Sequence, residues 1–222
     1  MARRKNDFLD ADKIKLLLWC DRHCCLCGKA CGTDIEIAHI EAKEPALIDN
    51  AIPLCYDCHA RIGHYNREHP RGTRYKGEEL KARRNQIYEQ YTRALVPPIG
   101  CQIESRPPLD PDLVGFTLTH HGDALPVQVR VVVTIFRGDQ DFGSPVGGKL
   151  YNGRRLWNLN PRRTFSGHFD LPVGARTAPG TLEARVKITV FDQYERAHPR
   201  LSESWIYEPE RKVWYPHPDS RL

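Results

Sequence analysis

Apolar and polar positions follow two rhythms along this chain, and the change falls near residue 96. Before it, helical spacing dominates. From Glu78 to Leu95 the residues Leu80, Ile87 and Tyr91 fall on one side, with Lys81, Arg83 and Arg84 set mostly toward solvent, which predicts a helix. A shorter helix is expected from about Lys13 to Cys20, capped from Asp10 or Asp12, with Ile14, Leu17 and Leu18 as its buried stripe. Between these helices, D-I-E-I-A-H-I from Asp34 to Ile40 alternates as a half-buried strand does, and alternation puts His39 on the isoleucines' side. Ala51 to Cys55 is short and apolar and suits the return strand of a hairpin. Asp57 to Gly63 then suits the start of a helix, with Asp57 near its positive end.

Further along, the period is two. Val127, Val129, Val131, Val133 and Ile135 alternate with Gln128, Arg130 and Thr134, and Ala184, Val186, Ile188 and Val190 alternate with Arg185, Lys187 and Thr189. Shorter candidate strands are 114–119, 164–171, 203–207 and 212–215, with Gly- and Pro-rich turns between them. Such spacing argues for an antiparallel sandwich or barrel. V-P-P-I-G-C-Q-I-E-S-R-P-P-L-D-P-D, from Val96 to Asp112, cannot continue a helix and reads as an extended linker. The expected class is α+β: a small first domain over residues 1–95, a Pro-rich linker over 96–112, and an all-β antiparallel sandwich over 113–222.

The chain has 222 residues, 40% hydrophobic and 27% charged, the balance of a soluble globular protein. Its N-terminal apolar run, Ile14 to Cys20, is broken by Lys15 and too short to span a bilayer. No apolar core follows Met1-Ala-Arg-Arg-Lys, so no secretory leader and no membrane association are expected, and the cytoplasm is the expected compartment. A net charge of +5 suits a polyanionic partner but is too mild to demonstrate one. Between His64 and Gly77, Arg67, Arg71, Arg74 and Lys76 are interleaved with Tyr65 and Tyr75. That mixture suits phosphate contacts with aromatic support, and equally a solvated loop.

Eight cysteines are present, and four of them form Cys-x-x-Cys pairs, Cys24/Cys27 and Cys55/Cys58. In a cytosolic chain this spacing favours a metal over disulfides, and two such turns complete the tetrahedral shell of a structural zinc. Gly28 stands where a tight knuckle needs backbone freedom. Cys25 and Cys31 are rivals for the first pair, whereas Cys20 and Cys101 read as ordinary thiols. A domain with so little core would draw much of its folding free energy from the metal.

Taken together, C-x-x-C-G from Cys24, A-H-I around His39 and N-x-x-x-L-C-x-x-C-H from Asn50 to His59 resemble the HNH endonucleases, of the ββα-metal class. The resemblance covers about residues 20–65, weakens toward Leu95 and does not reach the C-terminal half. It implies a small zinc-stapled ββα-metal domain that hydrolyses phosphodiester bonds of DNA, double-stranded DNA being the expected partner. His39 would be the general base. Asn50 would orient His39 or fix the active-site loop. His59 would hold a divalent cation, Mg²⁺ or another, at the scissile phosphate. Many members carry Asp or His as a second ligand where this chain has Ala38. His64 is the first candidate to replace it, with Asp49, Glu36 and His69 as weaker ones.

His120 and His121 are adjacent on a strand, so they point to opposite faces and read as structural or surface residues. Trp157, Trp205 and Trp214, with Tyr207 and Tyr215, suit the core better than a binding face. Arg154, Arg155, Arg162 and Arg163 suit either DNA phosphates or a solvated loop. The β-domain is expected to target, to sense or to bind a partner, a protein or a second copy of the chain. A role in bacterial defence against foreign DNA fits the layout by analogy. The competing expectation, prompted by Ala38, is a non-catalytic zinc-containing adaptor that binds DNA or protein.

Overall fold

The structure, a computed structural model, describes residues 7–62, 75–105, 113–123, 125–144, 155–177, 180–208, 210–211 and 213–218. It mixes helices and strands, with most of the regular structure in antiparallel sheets. The chain divides into two compact units, Met1–Leu95 and Val96–Leu222. Among the described residues no helix is long and apolar enough to cross a membrane.

The first unit contains helix α1 (Asp10–Trp19), strands β1 (Ile35–His39) and β2 (Ala51–Cys55), then helices α2 (Tyr56–Ile62) and α3 (Gly77–Thr92). β1 and β2 form an antiparallel hairpin in which Ile35 faces Cys55, Ile37 faces Pro53 and His39 faces Ala51. β2 is buried along its whole length. α2 follows it directly and packs on both strands. The core gathers Phe8, Leu16, Ile40, Ile52, Leu54, Leu80 and Ile87.

Two helices depart from expectation in which side they bury. α1 begins at Asp10, so Asp10 and Asp12 occupy its first turn, where they favour the helix dipole but cap nothing. Its buried side is Leu16 and Cys20, one turn apart, while Ile14 and Leu18 are 59% and 41% exposed. The reason is the neighbour: α1 packs on α3 and β2, and Trp19 meets Tyr88 edge-on at 5.5 Å. In α3, Arg84 is buried rather than solvated. Its Nη1 donates to the carbonyls of Asp49 (2.9 Å), Ala51 (2.9 Å) and Ile48 (3.3 Å). The turn into β2 aims these carbonyls inward, where water cannot serve them, so a buried guanidinium takes its place.

The second unit contains β3 (Ile99–Ser105), β4 (Leu113–His120), β5 (Val127–Arg137), β6 (Gln140–Asp141), β7 (Arg155–Leu159), β8 (Thr164–Asp170), helix α4 (Val173–Thr177), β9 (Leu182–Phe191), β10 (Ala197–Glu208) and β11 (Val213–Pro216). One sheet runs β11-β10-β9-β5-β6, with β7 also on β5, and the other runs β3-β4-β8. Their buried side chains form one core, from Val129 and Ile188 to Phe116, Phe169, Trp205 and Trp214. The period-two stretches are its centre: every odd residue of β5 from Val127 to Ile135 is buried. Tyr215 is exposed at 40%.

The linker expected over 96–112 is in part a strand. β3 pairs with β4 from Ile99 to Ser105, and the second unit begins at Val96. The prolines flank this strand, while Ile99 and Ile103 between them are buried. Residues 106–112 lie outside the described residues. His120 is buried, with Nδ1 accepting the Gly122 N–H (3.1 Å) and Nε2 reaching the Leu125 carbonyl (3.3 Å), while His121 is exposed.

Across β4 and β8, Gly167 stands opposite Phe116. A Cβ at Gly167 would lie 2.4 Å from the Phe116 ring, which is 1% exposed in the core. The ring covers the bare backbone, the pairing by which an aromatic compensates a strand glycine. Gly167→Ala is expected to destabilise the second unit by about 1–3 kcal/mol through overpacking. Urea unfolding of the two proteins, followed by tryptophan fluorescence, checks this.

Candidate functional site

The first unit brings Cys24, Cys27, Cys55 and Cys58 together, their four Sγ atoms all within 4.8 Å of one another. Cys27 and Cys55 Sγ are 4.0 Å apart. Four thiolates at about 2.3 Å from zinc would stand roughly 3.8 Å apart, so the donor set fits a tetrahedral zinc. Local geometry builds the cluster. The Gly28 N–H returns to the Cys24 carbonyl at 2.9 Å, and Gly28 holds φ at +78°. The Cys25 N–H donates to the Pro53 carbonyl at 2.9 Å, tying this knuckle to β2. Cys55 ends β2 and Cys58 lies in the first turn of α2, so the second pair spans the strand-to-helix corner. The rivals stand outside the cluster: Cys25 Sγ turns to the His23 carbonyl and Cys31 Sγ to the Lys29 carbonyl (3.2 Å).

The thiols differ in acidity. Burial opposes ionisation of Cys24, but the N–H groups of Cys27, Cys55 and Leu26 and the Cys27 thiol outweigh it and bring Cys24 down to about 7. Burial, with the Cys55, Cys27 and Cys24 sulfurs, pushes Cys58 up. A dication that ionises all four releases protons as it binds.

Beside this frame, His39 and His59 line one open cavity of about 760 Å³. Ala38, Glu41, Tyr75 and Lys76 also line it. His39 ends β1, half-buried, its ring 4.4 Å from the Phe8 ring and its Nε2 buried without a hydrogen-bond partner among the described residues. His59 sits on α2 immediately after Cys58, with its Nδ1 2.5 Å from Glu36 Oε2. Ala38 is buried and offers no ligand.

Asn50 is not at the cavity but behind it. It is buried, its Oδ1 accepts the Glu41 N–H (2.8 Å), and its Nδ2 donates to the carbonyls of Glu41 (3.0 Å), Pro45 (3.2 Å) and Glu44 (3.3 Å). Between the two roles expected for it, the geometry has Asn50 hold the loop that follows His39. Asp49, a weaker candidate ligand, instead pairs with Lys81 (3.0 Å) and Arg84 (3.5 Å), and the Lys81 hydrogen bond holds its carboxyl low. His64, His69, Arg67, Arg71 and Arg74 lie outside the described residues. Lys76 is exposed at the start of α3. Arg162 pairs with Asp123, Arg163 is exposed, and Arg154 and the Arg155 and Trp157 side chains lie outside the description.

Three contacts of this site were not legible as such in the sequence. Phe8 against His39 joins residues too distant in sequence for any pattern to relate. The Arg84 clamp looks like an ordinary solvent-facing helix position. Glu36 had a usable signal, since in a period-two strand it shares a face with Ala38.

No known family model matches the chain, and no curated protein matches it. A solved structure of a protein assigned as ApaA from Bordetella pertussis is similar with a TM-score of 0.32 and 17% identity, covering 49% of this chain and 89% of that one. Likeness at that level carries neither fold nor function across.

Two outcomes follow from the site's construction. Stripping metal from the first unit with a strong chelator, or Cys58→Ala, is expected to unfold it while the second unit keeps its own melting transition, read by calorimetry alongside zinc content. Asn50→Ala takes the side-chain partner from the Glu41 N–H and from three carbonyls. It is expected to destabilise the first unit by about 1–3 kcal/mol and speed amide exchange at Glu41, measured by hydrogen exchange.

Proposed function

We propose that this protein is a metal-dependent DNA endonuclease of the HNH kind, a zinc-stapled ββα-metal unit joined to a β-sandwich accessory unit. The observation that carries the reading is that His39 and His59 line one cavity, beside four clustered thiols. The hairpin followed by α2 supports it, because it sets one imidazole at a strand end and the other in a helix.

In this reading His39 accepts a proton from water as the water oxygen bonds to phosphorus and the bond to the 3′ oxygen breaks. His59, half-exposed on the same cavity, offers a nitrogen donor that fits a divalent cation. Such a cation, when bound, stabilises negative charge on the phosphate and the leaving oxygen. Asn50 keeps the loop after His39 fixed, so the base need not reorganise. Lys76 adds a positive charge at the rim that suits a DNA phosphate. The accessory unit would recognise the target or a partner, and defence against foreign DNA is the setting this layout suits.

The test is plasmid cleavage by zinc-loaded protein with Mg²⁺ or Mn²⁺. His39→Ala is expected to lower the rate by about 10²–10⁴-fold, with zinc content and melting temperature unchanged. Equal nicking by both proteins would remove His39 from the mechanism. DNA binding without cleavage by the wild type would favour the adaptor reading that Ala38 suggests.

A further inference from the structure

We propose that Glu36 is a positioning residue: it takes the Nδ1 proton of His59 in a hydrogen bond and so presents Nε2 of that ring as the donor atom for the cation. The proposal rests on the nuclease reading for its purpose, though not for its geometry. Glu36 Oε2 and His59 Nδ1 are 2.5 Å apart. Two atoms bound at right angles to one hard cation, each at about 2.1 Å, would be roughly 3.0 Å apart. The observed separation is at or below the short end of charge-assisted hydrogen bonds and well under that of two ligands sharing an ion.

That bond decides the ring's tautomer. A carboxylate only accepts, so Nδ1 carries the proton and, in the neutral ring, Nε2 keeps its lone pair. A carboxylate behind a metal-binding histidine also raises the basicity of the ring and fixes its angle. The pair is half-exposed, with side-chain exposures of 47% for Glu36 and 42% for His59. A hydrogen bond so open to water contributes little to folding, so stability does not account for the arrangement. The neighbouring position supplies the need. Ala38, on the same face of β1, gives no ligand, which leaves the orientation of His59 to set how firmly an ion is held.

The experiment uses the full-length, zinc-loaded protein and its Glu36→Ala, Glu36→Gln and Glu36→Asp variants. Long-range ¹H–¹⁵N NMR of the imidazoles reads the His59 tautomer, and electron paramagnetic resonance counts bound Mn²⁺. In the wild type His59 is expected as the Nδ1–H form, with Mn²⁺ broadening Nε2. Glu36→Ala should shift the ring toward the Nε2–H form and weaken Mn²⁺ binding by about 10–100-fold, with Glu36→Asp restoring part of both. Glu36→Gln should keep the tautomer, because an amide oxygen still accepts, while losing affinity with the charge. An Nε2–H ring in the wild type, unchanged Mn²⁺ affinity in Glu36→Ala, or Mn²⁺ on Nδ1 would each overturn the proposal. Absence of metal-dependent cleavage by the wild type would instead sink the nuclease reading and leave the tautomer result standing.

Discussion

Four sulfurs within 4.8 Å of one another set the frame of the first unit. Two of them come from a knuckle held to β2 by one backbone hydrogen bond, and two from the corner where β2 becomes α2. His59 is the next residue after the last sulfur, so fixing that corner fixes the direction in which its side chain leaves the helix. His39, at the far end of β1, is set by a different anchor. There Asn50 and Arg84 bind carbonyls of the segment between the two strands. The two imidazoles thus reach one cavity from opposite ends of the hairpin, each held by its own polar cluster.

The two units are stabilised by different physics. The second has a large apolar core shared by two sheets, built from alternating β-branched residues and closed by Phe116, Phe169, Trp205 and Trp214. Burial of that area is the dominant favourable term and needs no ion. The first unit has a smaller core, in which cysteines are prominent members. Its polar anchors, and a metal held by the four thiols, would do what apolar area does elsewhere.

The sequence showed most plainly what depends on short-range spacing. The hairpin, α2, α3 and the long strands β5 and β9 all follow from periodicity, and the four-thiol cluster follows from paired Cys-x-x-Cys turns. What spacing could not show is which neighbour each side chain meets. Arg84 occupies a helix position that reads as solvent-facing, and only the fold reveals the carbonyls it serves. Ile14 and Leu18 are apolar yet outward, because α1 meets its neighbours through Leu16 and Trp19 instead. β3 was masked by its flanking prolines, which mark the ends of a strand as readily as a linker. Asn50 could be placed near the loop from sequence, but its choice between two roles needed distances.

Pro53 sits in the middle of β2, where a residue without an N–H would ordinarily interrupt a ladder. Its carbonyl is taken by the Cys25 N–H of the knuckle, on the side away from β1. Within a strand, the N–H and C=O of one residue point the same way, so the missing donor also lies on that outer side. β2 therefore keeps its bonds to β1, while its outer rim lacks a donor at midpoint and has its acceptor already engaged. Strand-by-strand growth into an aggregate is closed along that rim, a safeguard supplied by one imino acid and one backbone amide.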